Sequence, residues 1–450
     1  MSDSPSMITP EKLERKWSRL AMVWALYYLA AYTLGKNPQY MRTTIWLGGS
    51  LVALVSIPMF WRHIRLRQLP REGVLLGLFM LWTLTGLFVV KDQALFERFL
   101  KLITELILLV VCISWILKYS GAVKWFHLAF LGVAVMQIFS SSDPISMDAI
   151  SKSEVVSRID AANAVGFLCF MGVLGAFGYF LETRSLWVRS LLIAGGLLAV
   201  YGVVLSSSRS AFSTLIVIGI LWPTMCLMGD ARLKMKSVFG ALAVLFIAYF
   251  TYQFIIQETY MGVRFSNATQ MEDNSTQERF GLVLISARVL AASPVFGCGL
   301  GQFGIASGTG FFAHNEVAEI ISTTGLPGFL LYYSVYLVAW RRLSRSLRCL
   351  HDPLVRYRIN ITRMSLLVLL ISGALSRINF LSQESMFLLA ISVGMAHWAE
   401  RMAQLACRGA GPGLVFAQAP QGFPRWGPPP GTGVARAFGQ PAMNSWEKTP

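Results

Sequence analysis

SLLIAGGLLAVYGVVLSSSRSAFSTLIVIGILWPTMCLM, residues 190–228, decides the class of fold. Two continuous apolar runs, at 187–206 and 211–228, flank a short serine-rich turn, and Arg209 is the one charged residue between Ser190 and Met228. A bilayer needs about twenty consecutive apolar residues to be crossed. The stretch therefore reads as two membrane helices joined with almost no loop. Outer-membrane barrel strands alternate polar and apolar residues, and these runs do not.

The rest of the chain has the same character. Of 450 residues, 55% are apolar and only 14% are charged, against roughly a quarter charged in an ordinary soluble domain; mean hydropathy is +0.55. These values exclude a soluble globular enzyme, and they exclude a disordered chain, which needs few apolar residues and many charges. Candidate spans lie near 20–35, 43–60, 73–90, 102–117, 125–140, 162–181, 187–206, 211–228, 237–256, 317–340, 364–380 and 384–399. The expected fold is all-α: a polytopic membrane protein of about twelve transmembrane helices with a long periplasmic loop between spans 9 and 10. The first span follows Lys12, Arg15, Lys16 and Arg19 without a small-residue cleavage site, so it reads as a retained anchor.

Assigning each Lys and Arg to alternate sides puts 27 on one side and 12 on the other. Cytoplasmic loops carry the basic excess, so both termini are expected in the cytoplasm and the functional face in the periplasm. The net charge of +16 then suits loops facing anionic headgroups, and no nucleic acid is expected as a partner. The divisions that follow are a cytoplasmic head at 1–19, spans 1–9 at 20–256, a periplasmic catalytic loop at 257–316, spans 10–12 at 317–400, and a Gly- and Pro-rich disordered cytoplasmic tail at 401–450. The six cysteines are scattered singly, with no metal-ligand or disulfide spacing.

The external residues are the candidates for chemistry. Of five histidines, His314 alone is external, in GFFAHNEVAEIIS just before the tenth span. A helix starting near Asn315 would set its positive dipole end beside that ring and favour the neutral imidazole, a usable general base; the alternative is an interfacial histidine without chemistry. Asn315, Glu319 and Ser322 share one helical face, and polar groups in a span face a cavity or a partner helix. Glu316 reads instead as an interfacial residue at headgroup depth. Arg209, so close to hydrocarbon, either snorkels to the headgroups or stands as a fixed cation at a cavity mouth. Arg279 lies in STQERFGLVLISARVLAASP, which reads as an amphipathic helix ending at Pro294. Arginine binds phosphate bidentately at any relevant pH, and two of them beside a pyrophosphate would offset charge developing on it as it leaves. Arg158, Arg264, Arg288 and Arg377 are also external, and spacing does not rank them.

GLGQFG, residues 299–304, matches the glycine pattern of dinucleotide sites. That fingerprint needs a preceding strand and a following helix within a βαβ unit. Here a tight turn carrying the chain toward His314 is the better reading. No Walker loop, HExxH motif or external carboxylate pair occurs, so no metal and no cofactor are expected.

Taken together, SPVFGCGLGQFG, AHNEVAEIISTTGLPGFLLYY, the SSSRSA turn at Arg209, the Arg279 helix and RIDAANAVGFL with Arg158 and Asn163 resemble the O-antigen ligase and O-antigen polymerase superfamily. The resemblance is carried by residues 155–340; the earlier spans match only as generic membrane helices. It implies an inner-membrane glycosyltransferase that takes a glycan from undecaprenyl pyrophosphate on the periplasmic face and transfers it to a hydroxyl, without metal or nucleotide, by direct inverting displacement. His314 takes the place of the acceptor base, and Arg209 and Arg279 those of the pyrophosphate-binding arginines, with Asn163, Asn315, Glu319 and Arg158 in supporting positions. In a ligase the acceptor is lipid A–core; in a polymerase it is another lipid-linked repeat. A twelve-span transporter would show a repeat of its two halves, and none is visible.

Overall fold

A computed structural model describes residues 10–34, 70–140, 152–180, 182–206, 208–227, 274–375 and 379–407. The expected spans at 43–60 and 237–256, the start of the long loop with Arg264, Arg377, and the tail beyond residue 407 lie outside the described residues. Among the described residues every regular element is a helix. In chain order these are α1 (Pro10–Leu34), α2 (Arg71–Leu84) with a 3-10 turn (Thr85–Phe88), α3 (Gln93–Ser120), α4 (Lys124–Ser140), α5 (Lys152–Phe180), α6 (Leu186–Leu205) and α7 (Arg209–Leu227). After the long loop begins, α8 (Asn274–Ala292), α9 (Phe303–Ser307), α10 (Glu316–Cys349), α11 (Pro353–Leu375), a 3-10 turn (Asn379–Leu381) and α12 (Gln383–Cys407) follow.

Among the described residues six helices are long and apolar enough to cross a membrane: Arg71–Phe88, Gln93–Ser120, Asn163–Phe180, Leu186–Leu205, Glu316–Cys349 and Pro353–Leu375. The shorter apolar helices Lys124–Phe139 and Arg209–Leu221 add to them. The basic stretch 341–363, expected as a loop, is largely helical: α10 runs on to Cys349 and α11 starts at Pro353. The physical reason is that a helix need not stop where hydrocarbon stops. Arg342 continues α10 because its guanidinium has a buried partner, Glu72 at the start of α2, with Nε to Oε1 at 3.1 Å and Nη2 to Oε2 at 3.3 Å. His397 Nε2 of α12 stands 2.8 Å from the same carboxylate, and Arg342 also meets Glu400. One buried carboxylate thus ties three helices at the end away from His314. A second bidentate pair, Arg358 to Glu182 at 2.8 and 3.0 Å, joins α11 to the end of α5.

Membrane helices approach closely where side chains are small. Gly172 and Gly175 of α5 let it lie against Ala134 and the His127 backbone of α4, and Gly394 lets α12 lie against Ser114 and Leu117 of α3. An aromatic group of Tyr28, Phe126, Phe130 and Phe387 closes the centre between α1, α4 and α12. α6, by contrast, presents Trp187, Leu191 and Leu197 outward, as a lipid-facing helix does. The packed helices bring the ends of α5, α7, α10 and α11 together with the glycine-rich loop, and the candidate site lies there.

Candidate functional site

The serine turn explains how Arg209 is held. Ser206 closes α6, its amide donating to Gly202 O at 3.0 Å. Ser208 opens α7: its Oγ accepts from the Ala211 amide at 3.4 Å and donates to Asn163 Oδ1 of α5 at 2.9 Å. Arg209 is therefore the first residue of α7, set by a cap and by a hydrogen bond to the helix that carries Asn163. Arg158 lies in the first turns of that same helix, α5; its side chain is outside the described residues. Asn163, Ser210 and Ser372 line one narrow cleft, which brings α5 and α7 against the end of α11.

From that cleft a chain of polar contacts leads to α10. Ser372 Oγ lies 3.5 Å from Asn379 Oδ1, and Asn379 Nδ2 donates to Glu316 Oε2 at 3.2 Å. Glu316 also accepts from the Tyr332 hydroxyl at 3.0 Å, the Tyr333 hydroxyl at 3.4 Å and the Phe380 amide at 2.9 Å. This corrects the sequence expectation of an interfacial residue: Glu316 has no exposed surface at all. Four donors from a later turn of its own helix and from the turn after α11 make that burial tolerable, and no local sequence pattern announces them, because the partners are up to 64 residues away.

His314 immediately precedes this start. Asn315 is the N-cap of α10, its Oδ1 accepting from the Ala318 amide at 3.0 Å and its Nδ2 donating to Ala374 O of α11 at 2.6 Å. The expected helix start near Asn315 is thus where the structure has it. Glu319, one turn on and buried, reaches back so that Oε2 accepts from the Ala313 amide at 2.8 Å. Between these two anchors His314 adopts φ 50°, the one non-glycine residue with positive φ among the described residues. A non-glycine residue in the left-handed region carries strain and persists only when its surroundings over-determine it. Here the cap on one side and the carboxylate on the other do so. Ser322, on the same face, turns its hydroxyl to its own helix, donating to Ala318 O at 2.6 Å.

The glycine-rich loop is built onto a break in α10. Gly325 has φ 68° and ψ −177°, which interrupts the helix, and Pro327 has no amide hydrogen to return to Thr323. The carbonyls this frees are taken by the loop: the Cys298 amide donates to Ser322 O at 2.8 Å and the Gly299 amide to Thr323 O at 3.0 Å. In return the Leu326 amide donates to Pro294 O at 3.0 Å, and Trp82 Nε1 caps Thr324 O at 2.8 Å. The approach leaves no room for a side chain: a Cβ on Gly325 would stand 2.0 Å from Val295 O, and one on Gly297 would stand 2.5 Å from the Thr323 carbonyl carbon. The GxGxxG pattern is part of this docking, with no strand before it. Gln302, which sequence reasoning did not single out, locks the loop to the α2–α3 connection, donating to Asp92 O at 2.9 Å and accepting from the Asp92 amide at 3.0 Å.

α8 covers the loop. The helix expected around Arg279 is observed at Asn274–Ala292, and Leu282 packs with Phe303, Ala313 and Ala318. Arg279 is half-buried, one turn before Leu282 on α8. Arg288 is exposed further along α8. Burial beside the Glu319 carboxylate pushes the Cys298 thiol up to about 12, so it is no nucleophile near neutral pH. Among the described residues no three His, Cys, Asp or Glu side chains gather as a metal would require.

No curated protein matches the sequence. A family model described as O-antigen ligase matches residues 194–333, a segment that runs from α6 through Arg209, Arg279, the glycine loop and His314 to just beyond the break at Gly325. Over that segment the chain is similar to the O-antigen ligases, and its long apolar helices are those of a membrane protein.

Proposed function

We propose that the protein is an O-antigen ligase of the bacterial inner membrane, which transfers polysaccharide from undecaprenyl pyrophosphate to a hydroxyl of lipid A–core on the periplasmic face. The observation that carries this reading is the backbone at His314: a histidine in a strained conformation, fixed by Asn315 and Glu319 at the mouth of a membrane helix, within the segment similar to the ligase family. Strain of this kind concentrates at functional sites.

In the reaction, His314 accepts the proton of the acceptor hydroxyl as that oxygen attacks the anomeric carbon. The bond from that carbon to the pyrophosphate oxygen breaks, the configuration inverts, and undecaprenyl pyrophosphate leaves with both bonding electrons. Arg209 and Arg279 hold the pyrophosphate and offset the charge that grows on it. Asn163 supports the Arg209 turn through Ser208; Asn315 and Glu319 position His314; Arg158 stands at the entry of α5. No step calls for a metal or a cofactor.

The test is a deletion strain examined by lipopolysaccharide gel, with lipid-linked glycan extracted in parallel. A ligase predicts long polymer accumulating on undecaprenyl pyrophosphate and bare core at the surface. Single repeats capping the core would instead make the protein a polymerase of the same superfamily. An unchanged pattern would defeat both. Purified protein should transfer in the presence of chelator; strong inhibition would show a metal requirement.

A further inference from the structure

A groove of about 1130 Å³ lies beside the loop that leads into His314, larger than most small-molecule pockets. One wall is the first turns of α3, with Arg98, Phe99 and Lys101; the other is the loop after the glycine turn, with Ile305, Phe311 and Phe312. Phe99 and Phe312 meet edge to face at 5.8 Å. Ile305, Phe311 and Phe312 are each about two-fifths exposed, at 42%, 44% and 39%, although they belong to a well-anchored loop. Glu105 completes the wall one turn beyond Lys101, so the groove carries two cations against one carboxylate over an otherwise apolar lining.

The depth of the cations indicates what they meet. α3 has 28 residues, about 42 Å of helix at 1.5 Å per residue, against about 30 Å of hydrocarbon. Arg98 and Lys101 are the sixth and ninth residues of that helix, close to one end of it, and both line the groove. An amphiphile with phosphate at headgroup depth and apolar chains below fits both halves. The groove shares no lining residue with the cleft beside the Arg209 turn. Asn315 turns to α11 and the cleft beside Arg209, whereas Phe312 turns to α3. A base between two substrates needs such an arrangement.

We propose that this groove is the acceptor subsite and binds a phosphate-bearing glycolipid, with Arg98 and Lys101 on its phosphate and Phe99, Phe311 and Phe312 against its apolar part. The assignment rests on the ligase reading, and binding and transfer are measured separately so that each can fail alone. Full-length protein in nanodiscs is titrated with fluorescent lipid A–core, either carrying its phosphates or after phosphatase treatment. Wild type should prefer the phosphorylated form. The double variant Arg98→Gln, Lys101→Gln should bind it about tenfold more weakly, the scale of losing charge-assisted hydrogen bonds, and should bind both forms alike. In the transfer assay the same variant should raise KM for the acceptor and leave KM for the lipid-linked donor unchanged. Arg98→Gln alone serves if the double variant melts below wild type. A variant that still discriminates the two forms as wild type does, or a rise in donor KM instead, overturns the subsite. Phosphate-dependent binding lost in the variant, with no transfer by wild type, would uphold the groove and defeat the ligase reading.

Discussion

At the scale of single residues the site depends on how two side chains hold a third. Glu319 spends a buried carboxylate on one backbone amide, that of Ala313. Glu319→Ala would leave that amide unpaired, at a cost of about 1–3 kcal/mol in stability. Transfer should fall further than stability accounts for, because His314 loses one of its anchors; melting temperature and transfer rate measured on the same preparation separate the two effects. Glu319→Gln retains an acceptor oxygen and should recover most of the activity. Arg209→Lys should impair transfer although the charge is kept, since lysine lacks the planar fork that engages two phosphate oxygens; a normal rate would mean that Arg209 only reaches for headgroups. Cys298 offers a test of burial at the loop. Its thiol lies far above the usual 9.0, so a maleimide at pH 8 should label it only after unfolding. Because the folded form holds its proton longer than the unfolded one, its contribution to stability is unchanged below pH 9 and falls as pH rises toward 12.

At the scale of elements the decisive feature is the break in α10. Gly325→Ala would place a methyl group against Val295 O in a left-handed backbone, and should cost more than about 2 kcal/mol and release the loop. Gly297→Ala strikes the same interface from the other side, so the double variant should lose less than the sum of the single losses; urea or thermal melts of all three decide this. These elements also show what a sequence can tell. The start of α10 at Asn315, the α8 helix before Pro294 and the near-absence of a loop at Arg209 follow from short-range chemistry, namely caps, proline and apolar run length, and all three are legible. The bonds of Asn379 and Phe380 to Glu316 and the clamp of Gln302 on Asp92 are not, because each joins residues 63 to 210 positions apart, and only the packing of helices brings them together. For the same reason a buried glutamate with four donors reads in sequence like one at a membrane surface.

At the scale of the molecule the two ends of the bundle carry different loads. The Glu72, Arg342, His397 and Glu400 group is separated from His314 by most of α10, about 40 Å of helix. Arg342→Ala should cost about 3–5 kcal/mol by taking the arginine from the buried Glu72 carboxylate and leaving it His397 alone, whereas Glu72→Leu with Arg342→Met should cost much less; in both cases transfer per folded molecule should stay near wild type. Apolar composition and the asymmetry of basic residues make the membrane class legible over the whole chain, but not how far a charged helix end continues, which depends on partners such as Glu72. The break at Gly325 has one more consequence at this scale. Because loop amides occupy helix carbonyls there, residues 294–299 and 322–327 form a single joint made from two distant pieces of chain. A chimera with a relative that exchanges one piece without the other would have mismatched halves, whereas one that moves both would carry the His314 support across intact.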